Sequence, residues 1–116
     1  LTASVVITGA SGFLGRHLLS HFLGEGRDVV ALTRDPGRLD DLAHPRLRIV
    51  ATDYSPAIGA HLSRSSSVIH LAARRHKPTR HGSAFIEANV SLAERVARAA
   101  LERGAGRFVY VSTAVI

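Results

Sequence analysis

Three glycines at positions 9, 12 and 15, lying between Thr8 and an apolar run of helical spacing, are the residues whose pattern most directly suggests chemistry. The segment reads Thr8-Gly9-Ala10-Ser11-Gly12-Phe13-Leu14-Gly15. A strand that turns tightly into a helix aims the helix's unpaired first-turn N–H groups at one spot, and a pyrophosphate suits that spot. Gly9 is expected to permit the tight turn. Gly12 removes a side chain so that N–H groups can approach phosphate, and Gly15 lets helix and strand pack closely. Thr8, Ser11, Phe13 and Leu14 complete the expected cofactor-contacting turn.

Dinucleotide sites commonly place an acid after the second strand for a ribose 2′-hydroxyl, or an arginine for a 2′-phosphate. Here the order is Thr33-Arg34-Asp35-Pro36, with Arg38 close enough to add charge. Arg34 comes first, and its planar fork can bind phosphate or stack beside adenine, so NADP is the expected cofactor. NAD becomes the better ligand if the backbone turns Asp35 inward. The seven histidines show no HExxH or paired metal spacing and the chain has no cysteine, so no metal is assigned.

The elements that must position these residues are readable from hydrophobic period. Residues 4–8, 28–33, 47–51, 67–72 and 108–111 are short β-branched runs expected to be strands. Leu14, Leu18 and Phe22 repeat at helical spacing, and that helix should stop near Gly24 or Gly26. Residues 34–37 mark a turn, and 55–62 a short helix capped by Ser55 with Pro56 at its first position. A long helix should cover 84–103 before Gly104. The alternation implies an α/β Rossmann-type doubly wound parallel sheet with helices on both faces. Right-handed crossovers give it the strand order 3-2-1-4-5.

The octapeptide Thr8 to Gly15 resembles the TGxxGxxG signature of the short-chain dehydrogenases/reductases. It is closest to the extended group that includes nucleotide-sugar epimerases, dehydratases and dihydroflavonol-type reductases. Four further segments follow in that family's order. Asp53-Tyr54 resembles its acidic adenine site, and His70-Leu71-Ala72-Ala73 its fourth-strand HLAA sequence. Asn89 resembles the asparagine of its long helix, and Val111-Ser112-Thr113-Ala114-Val115 its catalytic serine/threonine segment. Each alone has a plain structural reading as turn, packing or helix residue. The order of all five carries the resemblance.

The resemblance implies a Ser/Thr-Tyr-Lys site working by hydride transfer, with Thr113 as the hydroxyl that binds the reacting oxygen and Ser112 as the alternative. Either could instead end a strand by bonding local backbone. Tyr54 and Tyr110 are the two tyrosines, Lys77 is the one lysine, and no YxxxK is present. This chain alone is therefore expected to be inactive. It starts at Leu1 without methionine and reaches Ile116 directly after an apolar run whose strand would form an open edge. Residues 1–116 are accordingly expected to be one NAD(P)-binding domain at the front of a longer protein, its remaining strands and substrate region lying elsewhere.

With 116 residues, 46% of them hydrophobic, one packed core is expected. No apolar run approaches the roughly 20 residues of a membrane span, no signal peptide is evident, and the missing cysteines suit a reducing cytoplasm. The formal charge of +6 comes mostly from scattered arginines without interleaved aromatics, which argues against nucleic acid and equally suits a phosphorylated small molecule. The basic run 74–81 is expected to be a solvated loop, with contact to a nucleotide-sugar phosphate the alternative. A homodimer is allowed for the full-length protein. The second functional reading is a dinucleotide sensor that kept the fold and lost the chemistry, and a YxxxK beyond Ile116 would separate the two. A nucleic-acid module ranks last. It would require salt-sensitive oligonucleotide binding that NADPH does not displace.

Overall fold

The computed structural model describes residues 4–54, 56–62, 67–72 and 82–111. Five parallel strands, β1 (Val5–Thr8), β2 (Val29–Thr33), β3 (Leu47–Ala51), β4 (Ser67–His70) and β5 (Arg107–Tyr110), form one sheet in the order β3-β2-β1-β4-β5. Helix α1 (Phe13–Gly24) connects β1 to β2, and α2 (Gly82–Glu102) precedes β5. Short 3-10 segments cover Pro36–Leu39 and Pro56–His61. This is the Rossmann-like arrangement that the alternation of apolar runs implies.

Alternation along each strand divides the core in two. Val5, Ile7, Val29 and Ala31 pack on one face with Leu19 of α1 and Leu39. Val6, Leu32 and Val68 face the other side with Leu92, Val96, Ala99 and Ala100 of α2, and with Tyr54, Ile58 and Leu62. Both faces are therefore covered, as parallel sheets require.

The register lines up the carboxyl ends of the three inner strands. Thr8 lies beside Leu32 on one side and His70 on the other. Chain order reverses direction between β1 and β4, and open α/β sheets bind ligands at that switch.

Strand β4 corrects the sequence reading by stopping at His70 instead of Ala72. The N–H groups of Leu71 and Ala72 donate to Thr8 Oγ1 at 3.1 and 3.2 Å. The Leu71 N–H also reaches the Thr8 carbonyl at 3.2 Å, so the strand's end is held against β1 by a side chain that period alone does not reveal. Ser55, expected to cap the short helix, lies outside the described residues.

Candidate functional site

Helix α1 begins at an N-cap glycine, Gly12, with no side-chain cap and no acid in its first turn. The N–H groups of Phe13, Leu14 and Gly15 open the helix, where no helical carbonyl can accept them, and they carry the positive end of its dipole. Gly9 turns the chain there at φ 66°, and its N–H donates to the Tyr54 hydroxyl at 2.9 Å.

The glycines are not equivalent. A Cβ on Gly9 would stand 2.7 Å from Ala72 N, and one on Gly15 would stand 2.7 Å from Ala10 Cα, Ala10 O and Gly9 O. Gly15 thus approaches the turn itself, where the spacing pattern suggested the strand. A Cβ on Gly12 would meet only Gly9 O, at 3.5 Å, so the space over α1's first turn is open.

That space is a cleft of about 590 Å³ walled by the turn (Gly9, Ser11, Gly12, Phe13), the end of β2 (Thr33, Arg34, Asp35) and Arg38, with Leu71, Ala72 and Leu92 opposite. Its size and mixed lining suit a small-molecule ligand. A second cavity of about 470 Å³ is lined by Arg34, Ala51, Thr52 and Asp53. Arg34 borders both.

The walls are tied together across the sheet. Thr33 Oγ1 accepts the Asp35 N–H at 3.1 Å and donates to Ser11 Oγ at 3.1 Å, which joins β2 to the turn. The Asp35 carboxylate lies 3.5 Å from where a Gly37 Cβ would stand, turned back over the 3-10 segment. Arg16 of α1 donates to the Arg38 carbonyl at 2.8 Å and grips Asp41 through both terminal guanidinium nitrogens, Nη1 and Nη2. This fork fixes the loop that carries Arg38. Arg16 also lines the cleft, and sequence reasoning missed it. The available signal was its position directly after Gly15, on the helix's first turn.

Beneath the cleft, Thr8 and His70 form a buried joint, with Thr8 Oγ1 to His70 Nδ1 at 2.7 Å. Because Thr8 Oγ1 already accepts two N–H groups, its own proton goes to Nδ1, which places the imidazole proton on Nε2. Burial lowers the His70 pKa to about 4 and keeps the ring neutral. Burial also raises the pKa of Tyr54, so its hydroxyl stays protonated and donates to the Leu32 carbonyl at 3.0 Å.

Of the expected site residues, Gly9, Ser11, Gly12, Phe13, Arg34, Arg38, Tyr54, Leu71 and Ala72 converge on the first cleft, and Asp53 on the second cavity. Thr8 is buried below, while Leu14 and Gly15 sit on α1 behind the turn. Asn89 lies half-buried on α2, outside the cleft wall. Ala73, Ser112, Thr113 and the basic run 74–81 lie outside the described residues. Among the described residues no three His, Asp or Glu side chains gather for a metal, and no helix is long and apolar enough to cross a membrane.

Comparison with known proteins agrees with this geometry. Residues 5–116 match the NAD dependent epimerase/dehydratase family. The dTDP-glucose 4,6-dehydratase of Streptomyces griseus is 34% identical over 126 residues, covering 97% of this chain and 38% of that protein. Tetraketide alpha-pyrone reductase 1 of Arabidopsis thaliana is 44% identical over 57 residues, covering 42% of this chain and 18% of its own length. Among solved structures, MoeE5 in complex with UDP-glucuronic acid and NAD superimposes with a TM-score of 0.79 at 32% identity, covering 95% of this chain and 36% of that one. The chain spans less than half the length of each of these relatives.

Proposed function

The chain belongs to the NAD dependent epimerase/dehydratase family, and from that premise we propose that it is the NAD(P)-binding front part of a hydride-transferring enzyme, with NADP the preferred cofactor. The carrying observation is the uncapped first turn of α1, opening onto a cleft that Arg34 and Arg38 also line. The N–H groups of Phe13, Leu14 and Gly15 would hold the pyrophosphate. Arg34 and Arg38 would bind a 2′-phosphate, Asp53 would face adenine, and Leu71 and Ala72 would supply the apolar wall. When bound, the nicotinamide gives or takes the hydride.

The oxygen that gains charge in such a transfer needs a positioned donor. Thr113 is the proposed donor and Ser112 the alternative. Tyr54 is not the proton-transfer tyrosine, because its hydroxyl is already committed to Gly9 and Leu32. A nucleotide-sugar is the substrate class favoured by likeness to the dehydratase and to MoeE5, whereas likeness to the tetraketide alpha-pyrone reductase supports a reductase.

NAD is the second reading, favoured by Asp35 on the same cleft wall as Arg34. Calorimetric titration of the full chain with NADPH and NADH decides between them. Arg34→Ala is expected to weaken NADPH by about 10- to 100-fold, the scale of a lost charge-assisted hydrogen bond, and NADH by less than about threefold. Equal losses remove the NADP assignment. Failure of the unaltered protein to bind either dinucleotide removes the whole reading.

A further inference from the structure

Tyr54 is the one non-glycine residue with positive φ among the described residues, at 59°. A bulky side chain rarely adopts that conformation, and it persists only where the surroundings over-determine it. Here they do. Thr52 Oγ1 accepts the Tyr54 N–H at 3.0 Å, and Arg95 of α2 donates to the Tyr54 carbonyl at 2.9 Å. The hydroxyl accepts from Gly9 N–H and donates to the Leu32 carbonyl.

This unusual backbone delivers the two ends of the side chain to different parts of the cleft. The hydroxyl lies at the first glycine of the phosphate turn. The ring face lies under the Arg34 guanidinium, with Cζ 5.4 Å from the ring centroid. Tyr54 is 2% exposed, so the ring is fixed, while Arg34 is exposed and lies over that face. A long cation in solvent samples many rotamers, and stacking on an immobile ring selects among them.

We infer that Tyr54 is a positioning residue for cofactor choice: its hydroxyl sets the phosphate turn, and its ring holds Arg34 at the seam of the two cavities, ready for a 2′-phosphate. The inference rests on the reading of the cleft as a dinucleotide site. It adds that selectivity depends on the ring as well as on the arginine. The two ends of Tyr54 therefore act separately, one on every dinucleotide and the other on the phosphorylated form alone.

The test is titration of the full chain and its variants with NADPH and NADH, alongside thermal melting. Tyr54→Phe keeps the ring and loses the hydroxyl, so both affinities should fall together by about tenfold, with their ratio unchanged. Tyr54→Leu should further reduce the preference for NADPH by about three- to tenfold, the scale of a lost cation–π contact. In Tyr54→Leu/Arg34→Ala the ratio should equal that of Arg34→Ala alone. Arg34→Lys leaves the core untouched, so it serves if Tyr54→Leu does not fold. Lysine keeps the charge without the planar stack, and the preference should fall toward that of Arg34→Ala. A full NADPH preference in Arg34→Lys, or a Tyr54→Leu protein whose two affinities drop equally, overturns the positioning role while the NADP assignment stands. A ratio unaffected by Arg34→Ala overturns both.

Discussion

Replacing the three glycines one at a time by alanine separates those that shape the turn from the one that admits a ligand. At Gly9, φ 66° costs a residue with a Cβ about 1–2 kcal/mol. The added methyl would also sit 2.7 Å from Ala72 N, 2.8 Å from Ala72 Cα and 2.9 Å from Leu71 C. All three are backbone atoms that no side-chain rotation can move, and overpacking of that kind costs about 1–3 kcal/mol. Gly9→Ala should therefore lose about 2–5 kcal/mol, a large share of a typical domain's 5–15. At Gly15, alanine improves helix propensity by about 1 kcal/mol, against a similar overpacking cost from three backbone atoms at 2.7 Å. The net loss is up to about 2 kcal/mol. Gly12 has φ −77° and ψ 175°, open to any residue, and its Cβ would make an ordinary contact at 3.5 Å. Gly12→Ala should cost no more than about 1 kcal/mol at the N-cap, yet place a methyl where phosphate must approach. Denaturant unfolding and NADPH titration of the full chain read the two effects separately. Gly12→Ala should keep near-normal stability and lose more than tenfold in affinity for both NADPH and NADH. A stable Gly12→Ala that binds as tightly as the parent, or a Gly9→Ala as stable as the parent, refutes this division of roles.

Two further outcomes concern the joint below the cleft and the reacting hydroxyl. His70 has a folded pKa of about 4 against 6.5 for a free imidazole, so its contribution to stability is complete above about pH 6.5 and is lost as pH falls toward 4. A gap of about 2.5 units caps that contribution at about 3 kcal/mol. His70→Asn can still accept the Thr8 proton but does not titrate, so it should flatten this part of the pH–stability curve. Equal slopes for both proteins between pH 4 and 6.5 would discard the buried neutral ring as a source of acid sensitivity. In the longer enzyme proposed to supply the tyrosine and lysine, Thr113→Ala should lower kcat by about 10²–10³-fold and leave NADPH affinity within twofold, as expected for a donor used in the transition state. The same loss in Ser112→Ala, with Thr113→Ala near normal, would move that role to Ser112.

The parts of the fold and site governed by local rules were legible in the sequence. Continuous β-branched runs gave strands buried on both faces, and Val5-Val6-Ile7 does divide its side chains between the two cores. The glycine turn ahead of α1 was legible because it depends on residues that lack side chains, and absence can be read without knowing the neighbours. Arg34 could be placed because it directly follows the end of β2, and Arg38 because it lies in the short segment after it. The end of β4 could not be placed by period, since Leu71 and Ala72 continue the apolar run. Thr8 Oγ1, 64 positions before Ala72, takes the Ala72 N–H, while Leu71 shares its N–H between that oxygen and the Thr8 carbonyl. Arg16 could not be singled out, because its partner Asp41 lies 25 positions later on a loop that only the fold brings to it.

Tyr54 shows why such features escape a linear reading. Its hydroxyl meets Gly9 across 45 positions only because β1 and β2 are neighbours and the register sets Thr8 beside Leu32. The same residue beside the same aspartate in another strand order would be a buried core aromatic with nothing to position. Thr8, the last residue of β1, supports the turn on its β4 side, where pairing with His70 brings the Leu71-Ala72 backbone against Gly9. The turn is therefore clamped from both flanks, by a tyrosine hydroxyl through β2 and by a threonine hydroxyl through β4. A ligand held by backbone N–H groups needs that support, since backbone donors have no rotamers with which to adjust and must already point correctly before binding.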